Sequence, residues 1–223
     1  TQFCNTIQSK INVTIVESKL NLGLGGALNL GLKHVQEDIV IRMDSDDISR
    51  ANRVEKIVDF YSKNDDIGIL GSYISEFEME PGDRNMVRKV PLKSNAISKV
   101  LDFSCPFNHV SVAFNYKLLP KNPYKTDYNR LEDYPTWYSL LVHHKLESAN
   151  LKDVLVDVKT GDNFLERRRG YELFKSWFKA YKKMYKDGYL NEFNFFKNVL
   201  IRFIQFNLTP KIILSLLYSL KRR

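Results

Sequence analysis

The chain has 223 residues, 43% of them hydrophobic and 13% aromatic, with a formal net charge of +8. That length suits one domain or one domain with an appendage and can bury a sizeable core, and the composition excludes a disordered chain. The basic balance favours polyanions, anionic lipid headgroups or phosphorylated substrates without choosing among them, and two cysteines, Cys4 and Cys105, exclude a disulfide framework and make a reducing compartment the default.

The chain opens with TQFCNTIQSK, without an initiating Met and in mid-pattern, so an N-terminal truncation is expected. No signal peptide is legible there, and no run of about 18 uncharged apolar residues marks a membrane span. INVTIVE, residues 11–17, alternates apolar and polar and is rich in β-branched residues, which predicts a strand. NLGLGGALNLGLKHV follows, with early glycines and with Ala27, Leu28, Leu32 and Val35 at helical spacing: a Gly-rich turn entering a helix.

EDIVIRMDSDDISR, residues 37–50, carries a short apolar run of the kind a buried parallel strand needs. It ends in three crowded carboxylates, Asp44, Asp46 and Asp47. Asp44 and Asp46 stand at i and i+2, so in extended chain they face the same side with Cα atoms roughly 6–7 Å apart. Two such carboxylates suit Mg²⁺ or Mn²⁺, hard cations that take oxygen ligands and complete their shell with substrate phosphates. The competing reading is a solvated turn in which Asp47 or Ser49 caps the next helix. That helix is predicted over RANRVEKIVDFYSKN, with Val54, Ile57, Val58 and Tyr61 on one face. IGILGSYI reads as the next strand, and the alternation implies a mostly parallel sheet wrapped by helices.

From about Pro81 to Asp102 a loop or hairpin and then a short helix are expected, and HVSVAFN reads as a further strand. EDYPTWYSLLVHH reads as a helix with Glu132 and Asp133 in its first turn, where the helix dipole favours anions, and with Pro135 where a first-turn proline is tolerated. A carboxylate exposed at a helix start beside a cleft can act as a general base; the plainer reading is a partner for the dipole. His143 and His144 close the helix and read as structural, and Trp137 reads as core. A boundary is placed near residue 161, dividing a catalytic part, 1–160, from a basic, aromatic, helical tail, 161–223. In that tail Phe174, Trp177, Phe178 and Tyr181 share one face, while Arg167, Arg168, Arg169, Lys182 and Lys183 supply charge. Such a helix suits an anionic membrane surface, the alternative being that it packs back on the catalytic part. No nucleic-acid recognition motif accompanies the basic and aromatic residues, so no nucleic-acid partner is expected.

Taken in order, NLGLGGALNLGL, EDIVIRMDSDDISRANRVEKIVDF, DIGILGS, HVSVAF and LEDYPTWYSLL resemble the family-2 glycosyltransferases, in particular the bacterial branch that builds capsules, exopolysaccharides and O-antigens. The resemblance spans roughly residues 11–150, and the tail is similar too. It implies a GT-A fold (α/β, Rossmann-like) and inverting, metal-dependent transfer of a sugar from a nucleotide-sugar, usually a UDP-sugar, to a hydroxyl of a saccharide or lipid-linked acceptor. It implies Mg²⁺ or Mn²⁺ held by Asp46, Asp44 and Asp47, with Asp44 facing ribose or metal, and Asp133 as base with Glu132 beside it. Asn21, Gly23 and Asn29 match the donor-side segment. His109 matches a histidine of this branch near the donor phosphates or acceptor, a structural role being the alternative. A cytoplasmic location, peripheral on the cytoplasmic membrane face, is expected. The chain departs from the pattern in lacking the first strands with their nucleoside-gripping segment, and in having no late histidine near residues 158–163, where Asp162 is the substitute. The rival readings are a non-catalytic, decayed transferase and a haloacid-dehalogenase-type phosphohydrolase, which also uses an Asp-x-Asp after an apolar strand.

Overall fold

In the computed structural model, which describes residues 12–161 and 169–220, a six-stranded sheet separates two hydrophobic clusters. The strands are β1 (Ile39–Ile41), β2 (Ile48–Ser49), β3 (Ile67–Phe77), β4 (Met86–Arg88), β5 (Ala113–Asn115) and β6 (Glu147–Lys159). Their order is β1-β5-β3-β6-β2, with β4 pairing on β3. The sheet is mixed rather than mostly parallel: among the described residues β3 and β6 run parallel, and every other pairing is antiparallel. In particular β1, expected as a buried parallel strand, pairs antiparallel with β5.

Neighbouring residues in an extended chain point to opposite faces, which explains the two clusters. Leu70 and Ala113 face one side with Leu155, where Ile57 and Tyr61 of helix α2 (Arg53–Tyr61) cover them. Ile69 and Phe114 face the other side, against Trp137, Leu140 and Ile97. Val54 and Val58, expected on the buried face of α2, are exposed. The inner position goes to Arg53, which is 1% exposed and donates from Nη2 to the carbonyls of Arg42 (2.7 Å) and Val110 (3.3 Å). A buried guanidinium needs those acceptors, and satisfying them turns the helix.

Helix α1 (Gly23–Leu32) forms where the Gly-rich segment predicts it. Residues 12–17 of the strand expected over 11–17 pair with no strand among the described residues; Ile11 lies outside them. The strand β6 carries no expectation from the sequence, yet at 13 residues it is the longest. Helix α3 (Ser94–Leu101) follows β4 as expected. HVSVAFN divides into a 3-10 turn, His109–Ser111, and β5. Helix α4 (Asp133–Tyr138) continues into a π-helical turn, Ser139–His143, whose His143 Nε2 lies 3.2 Å from Asp187.

The C-terminal helices are α5 (Tyr171–Lys186), α6 (Glu192–Phe203, extended by a π-helical turn Ile204–Leu208) and α7 (Lys211–Leu220). Trp177 and Tyr181, expected on an outward aromatic face, are buried in the same cluster as Trp137 and Tyr134. Tyr134 packs on Trp177 with ring centroids 4.5 Å apart. Arg202 of α6 lies over the Trp177 ring and donates to the Phe103 carbonyl at 2.7 Å, while Asn198 donates to the Asp102 carbonyl at 2.7 Å. These helices therefore hold both α4 and the loop after α3. Arg169 donates to the Thr209 carbonyl; Arg167 and Arg168 lie outside the described residues.

Candidate functional site

The acidic loop leaves β1 on a fixed backbone. The Arg42 amide donates to the Val112 carbonyl at 3.0 Å, and the Arg42 carbonyl accepts from Arg53. From there the three carboxylates diverge. Asp44 is half-buried, and its Oδ1 accepts from Arg42 Nη2. Asp46 is exposed and engages no group among the described residues. Asp47 turns inward, and its Oδ1 accepts from the Lys159 amide at 3.0 Å. Burial, and then the charges of Asp44 and Asp46, push the Asp47 carboxyl up to about 6, against the Lys159 bond that lowers it. The far end of β6 thus anchors the loop, helped by the antiparallel β2–β6 pairing and a bidentate Arg50–Asp157 pair at 3.0 and 2.8 Å.

Glu132 and Asp133 open α4 as expected. Asp133 is held at both oxygens: Oδ1 accepts from the Tyr134 amide at 2.8 Å, and Oδ2 lies 3.3 Å from Cys105 Sγ. Burial and the adjacent Asp133 charge hold the Cys105 thiol well up, so it donates as a neutral S–H. No ligand spacing surrounds Cys105 in the sequence. Glu132 has its carboxyl pushed up by burial first and then by the charges of Asp133 and Asp44.

Burial pushes the Tyr124 phenol up, the Arg42 charge opposes that and the charges of Asp133, Asp44 and Glu132 add to it, and His109 Nε2 lies 3.3 Å from its hydroxyl. His109 packs edge-on against Trp137. Burial, and then the Arg42 charge, lower its pKa to about 3, so it is neutral at physiological pH. The resemblance placed it near phosphates, but it brings no positive charge there.

Asn29 is 8% exposed, and both ends of its amide serve the fold. Nδ2 donates to the Tyr124 carbonyl at 2.9 Å and Oδ1 accepts from the Tyr124 amide at 3.0 Å. Asn29, matched to the donor-side segment by the resemblance, thus fixes the backbone of Tyr124. Gly25 permits the approach, because a Cβ there would lie 3.0 Å from the Lys125 carbonyl and 3.3 Å from Glu132 Cβ. Asn21 Oδ1 accepts from the Gly23 amide at 3.0 Å, and Gly23 has φ +65°, a left-handed turn that glycine adopts freely. Both line an open groove of about 500 Å³ beside Thr14, Val16 and Ser18. None of the acidic-site residues is among those lining that groove.

The oxygens fit a hard divalent cation. Among the described residues Asp46 has no hydrogen-bond or ion-pair partner and one oxygen of Asp44 is unengaged, while Asp47 is committed to Lys159 by one oxygen. Among the described residues no three or more His, Cys, Asp or Glu side chains form a metal-holding group. A Mg²⁺ or Mn²⁺ site built from one or two carboxylates and substrate phosphates does not require one. Asp162, the expected substitute for a late histidine, lies outside the described residues.

A family model described as "Glycosyl transferase family 2" matches residues 1–125. The chain is 38% identical over 193 residues to an Escherichia coli UDP-Gal:alpha-D-GlcNAc-diphosphoundecaprenol beta-1,3-galactosyltransferase, covering 86% of this chain and 69% of that protein. It is 33% identical over 172 residues to the amylovoran biosynthesis glycosyltransferase AmsE of Erwinia amylovora, covering 76% of this chain and 63% of that protein. The chain thus spans about two thirds of these relatives. Among solved structures it resembles S. aureus TarS 1-349 in complex with UDP-GlcNAc, with a TM-score of 0.64 at 14% identity over 93% of this chain and 63% of that one. It also resembles the mannosyltransferase PcManGT of Pyrobaculum calidifontis in complex with GDP-Man and Mn²⁺, with a TM-score of 0.57 at 17% identity over 92% of this chain and 56% of that one. These likenesses carry the fold, which is of the GT-A type.

Proposed function

The chain belongs to glycosyl transferase family 2, and we propose that it moves a sugar from a UDP-sugar to a hydroxyl of a lipid-linked saccharide acceptor, with inversion and with Mg²⁺ or Mn²⁺. The observation that carries this reading is the acidic loop that ends β1, with Asp46 exposed and Asp44 half-buried, together with the Glu132–Asp133 start of α4. The E. coli relative makes UDP-galactose the first donor to try and a GlcNAc-diphospholipid the first acceptor.

The leaving group is a nucleoside diphosphate, and negative charge grows on its oxygens as the bond to the sugar breaks. A divalent cation bound there neutralises that charge more in the transition state than in the ground state. Asp46 and the free oxygen of Asp44 are the residues to hold it. Asp47 keeps the loop in register through Lys159, and Arg53 keeps its backbone in place. Asp133, oriented at both oxygens, takes the proton of the acceptor hydroxyl as that oxygen attacks. Family membership removes the phosphohydrolase alternative; no nucleophilic aspartate is needed. The expected result is product from one donor in a panel of UDP- and GDP-sugars given to the chain with a synthetic GlcNAc-diphospholipid and Mn²⁺. No product from any donor would overturn the reading and favour the non-catalytic one.

A lipid-linked acceptor calls for contact with the cytoplasmic membrane face. Among the described residues no helix is long and apolar enough to cross a membrane. The surface suited to peripheral contact is on α6 rather than α5: Phe193, Phe196 and Leu200 share one face and are 74%, 61% and 59% exposed. The chain is expected to float with vesicles containing anionic lipid. Recovery in the soluble fraction would end the proposal, and so would undiminished flotation when Phe193, Phe196 and Leu200 are all changed to Ser.

A further inference from the structure

Asp133 is half-buried at the start of α4, and its two oxygens are held from different parts of the chain. The Tyr134 amide, the next residue along, donates to Oδ1 at 2.8 Å. That bond belongs to the helix itself and leaves the carboxylate able to tilt about it. Oδ2 is met from 28 residues away by Cys105 Sγ, at 3.3 Å.

A thiol can fix that oxygen only when its own segment is fixed. Carbonyls on both sides of Cys105 are engaged by buried side chains. The Asp102 carbonyl accepts from Asn198 Nδ2 at 2.7 Å, and the Phe103 carbonyl accepts from Arg202 Nη2 and from the Tyr181 hydroxyl, both at 2.7 Å. The Pro106 carbonyl accepts from Asn150 Nδ2 at 3.2 Å. On the α4 side the Tyr134 hydroxyl donates to the Leu101 carbonyl at 2.6 Å, which ties the helix start to the same segment. Cys105 is thus bracketed by α5 and α6 before it and by β6 after it. Two of the side chains that do this are themselves costly to bury. Asn198 is 1% and Asn150 6% exposed, and the amide oxygen of each is shut off from solvent with no partner among the described residues. A buried polar atom without a partner is destabilising. What the two amides contribute in return is their N–H donors, spent on the carbonyls of Asp102, Pro91 and Pro106. Strand β3 makes room for one of them, since a Cβ at Gly71 would collide with Asn150 Oδ1.

We infer that Cys105 is a positioning residue for Asp133, set in place by the C-terminal helices through residues 101–106. The inference rests on the reading of Asp133 as the base. A thiol is a weak donor, and a carboxylate offers about four lone-pair directions, of which the amide and the thiol use two. Cys105 therefore orients Oδ2 and still leaves room for the acceptor hydroxyl. The helical tail acts on the chemistry by this route, independently of any membrane contact.

Sugar transfer, and calorimetric binding of UDP with Mn²⁺, are to be compared in the wild-type chain, Cys105→Ala, Cys105→Ser and Asn198→Leu, after thermal melts show that each folds. Cys105→Ala is expected to lower kcat about 10- to 100-fold, the cost of a small misplacement of a reacting group, with UDP affinity unchanged. Cys105→Ser, whose hydroxyl donates from nearly the same place, should recover kcat to within about threefold of wild type. Asn198→Leu should lower kcat with UDP affinity unchanged, although it lies in the tail; if it does not fold, Arg202→Lys, which gives up one bond of the guanidinium, takes its place. Full activity of Cys105→Ala overturns the inference, and so does a loss that serine does not recover, which marks packing alone. Unchanged kcat in the tail variant overturns the part assigned to the helices. Full activity of Asp133→Asn overturns the base reading instead, whatever Cys105 does. Infrared spectroscopy needs no turnover. In a Cys4→Ser background Cys105 carries the only thiol. Its S–H stretch should lie below that of a free thiol and rise in Asp133→Asn. A band already at the free-thiol position with Asp133 intact overturns the inference.

Discussion

Asp133→Asn is expected to lower kcat by about 10²–10⁴-fold, the usual contribution of a positioned general base, with binding of UDP and Mn²⁺ unchanged. The substitution is nearly isosteric. Its Oδ1 still accepts from the Tyr134 amide, so the start of α4 keeps its geometry. What is lost is the ability to take a proton from an attacking hydroxyl. A loss in kcat without a loss in donor affinity is the mark of a group that acts in the transition state. Glu132→Gln should cost far less, because Glu132 is the neighbour and not the oriented carboxylate. If the order is reversed, with Glu132→Gln inactive and Asp133→Asn active, the base is Glu132, whose carboxyl is pushed up by burial. The same reaction mixture tests the stereochemistry. A single displacement assisted by a base inverts the anomeric centre, so an α-linked donor gives a β-linked product by NMR. An α-linked product would sink both the base assignment and the direct displacement.

The sequence shows some of this and hides the rest for identifiable reasons. The apolar run ending in Asp44, Asp46 and Asp47, and the helix opening with Glu132 and Asp133, are local patterns, and both stand where the pattern puts them. That the two serve one site was implied only by the resemblance, because nothing in the spacing of residues so far apart fixes their distance. Strand β6 was missed because its alternation is broken by Asp153 and Asp157. Those carboxylates pair with Lys56 and Arg50, about a hundred residues away, which no local window registers. The opposite error befell residues 11–17. β-branched alternation states that a segment fits a pleated surface, not that a partner strand is there to receive it. Arg42 and Arg53 were passed over because an arginine in an apolar setting reads as a solvated interruption. Only the tertiary structure shows that both are buried, one tying the loop to Val110 and the other facing Asp44. The tail was read by period alone. Period locates the apolar face of α5 but does not say what covers it; Trp137 and Tyr134 do.

Asp46→Asn should abolish the metal-dependent part of UDP binding. The wild-type chain, given UDP and Mn²⁺ at about a hundredfold over the dissociation constant, should gain roughly 2.7 kcal/mol of stability, read as a rise in melting temperature. UDP without Mn²⁺ should give much less, since the diphosphate then meets the unneutralised charges of Asp44 and Asp46. The variant should show the small shift in both conditions. The reason lies in how the three carboxylates are spent. Asp47 gives one oxygen to the Lys159 amide, and Asp44 gives one to Arg42, which leaves Asp46 as the carboxylate with both oxygens unengaged among the described residues. A cation held by that carboxylate would lose its main protein ligand when the charge is removed, while the exposed side chain has no partner among the described residues for the fold to miss. Asp47→Asn offers the contrast. It should perturb the loop and lower the melting temperature without ligand, because the Lys159 anchor and a buried carboxyl are disturbed, yet keep a Mn²⁺-dependent gain with UDP. A variant pair with the opposite behaviour would move the cation from Asp46 to Asp47 and require the loop to turn over on binding.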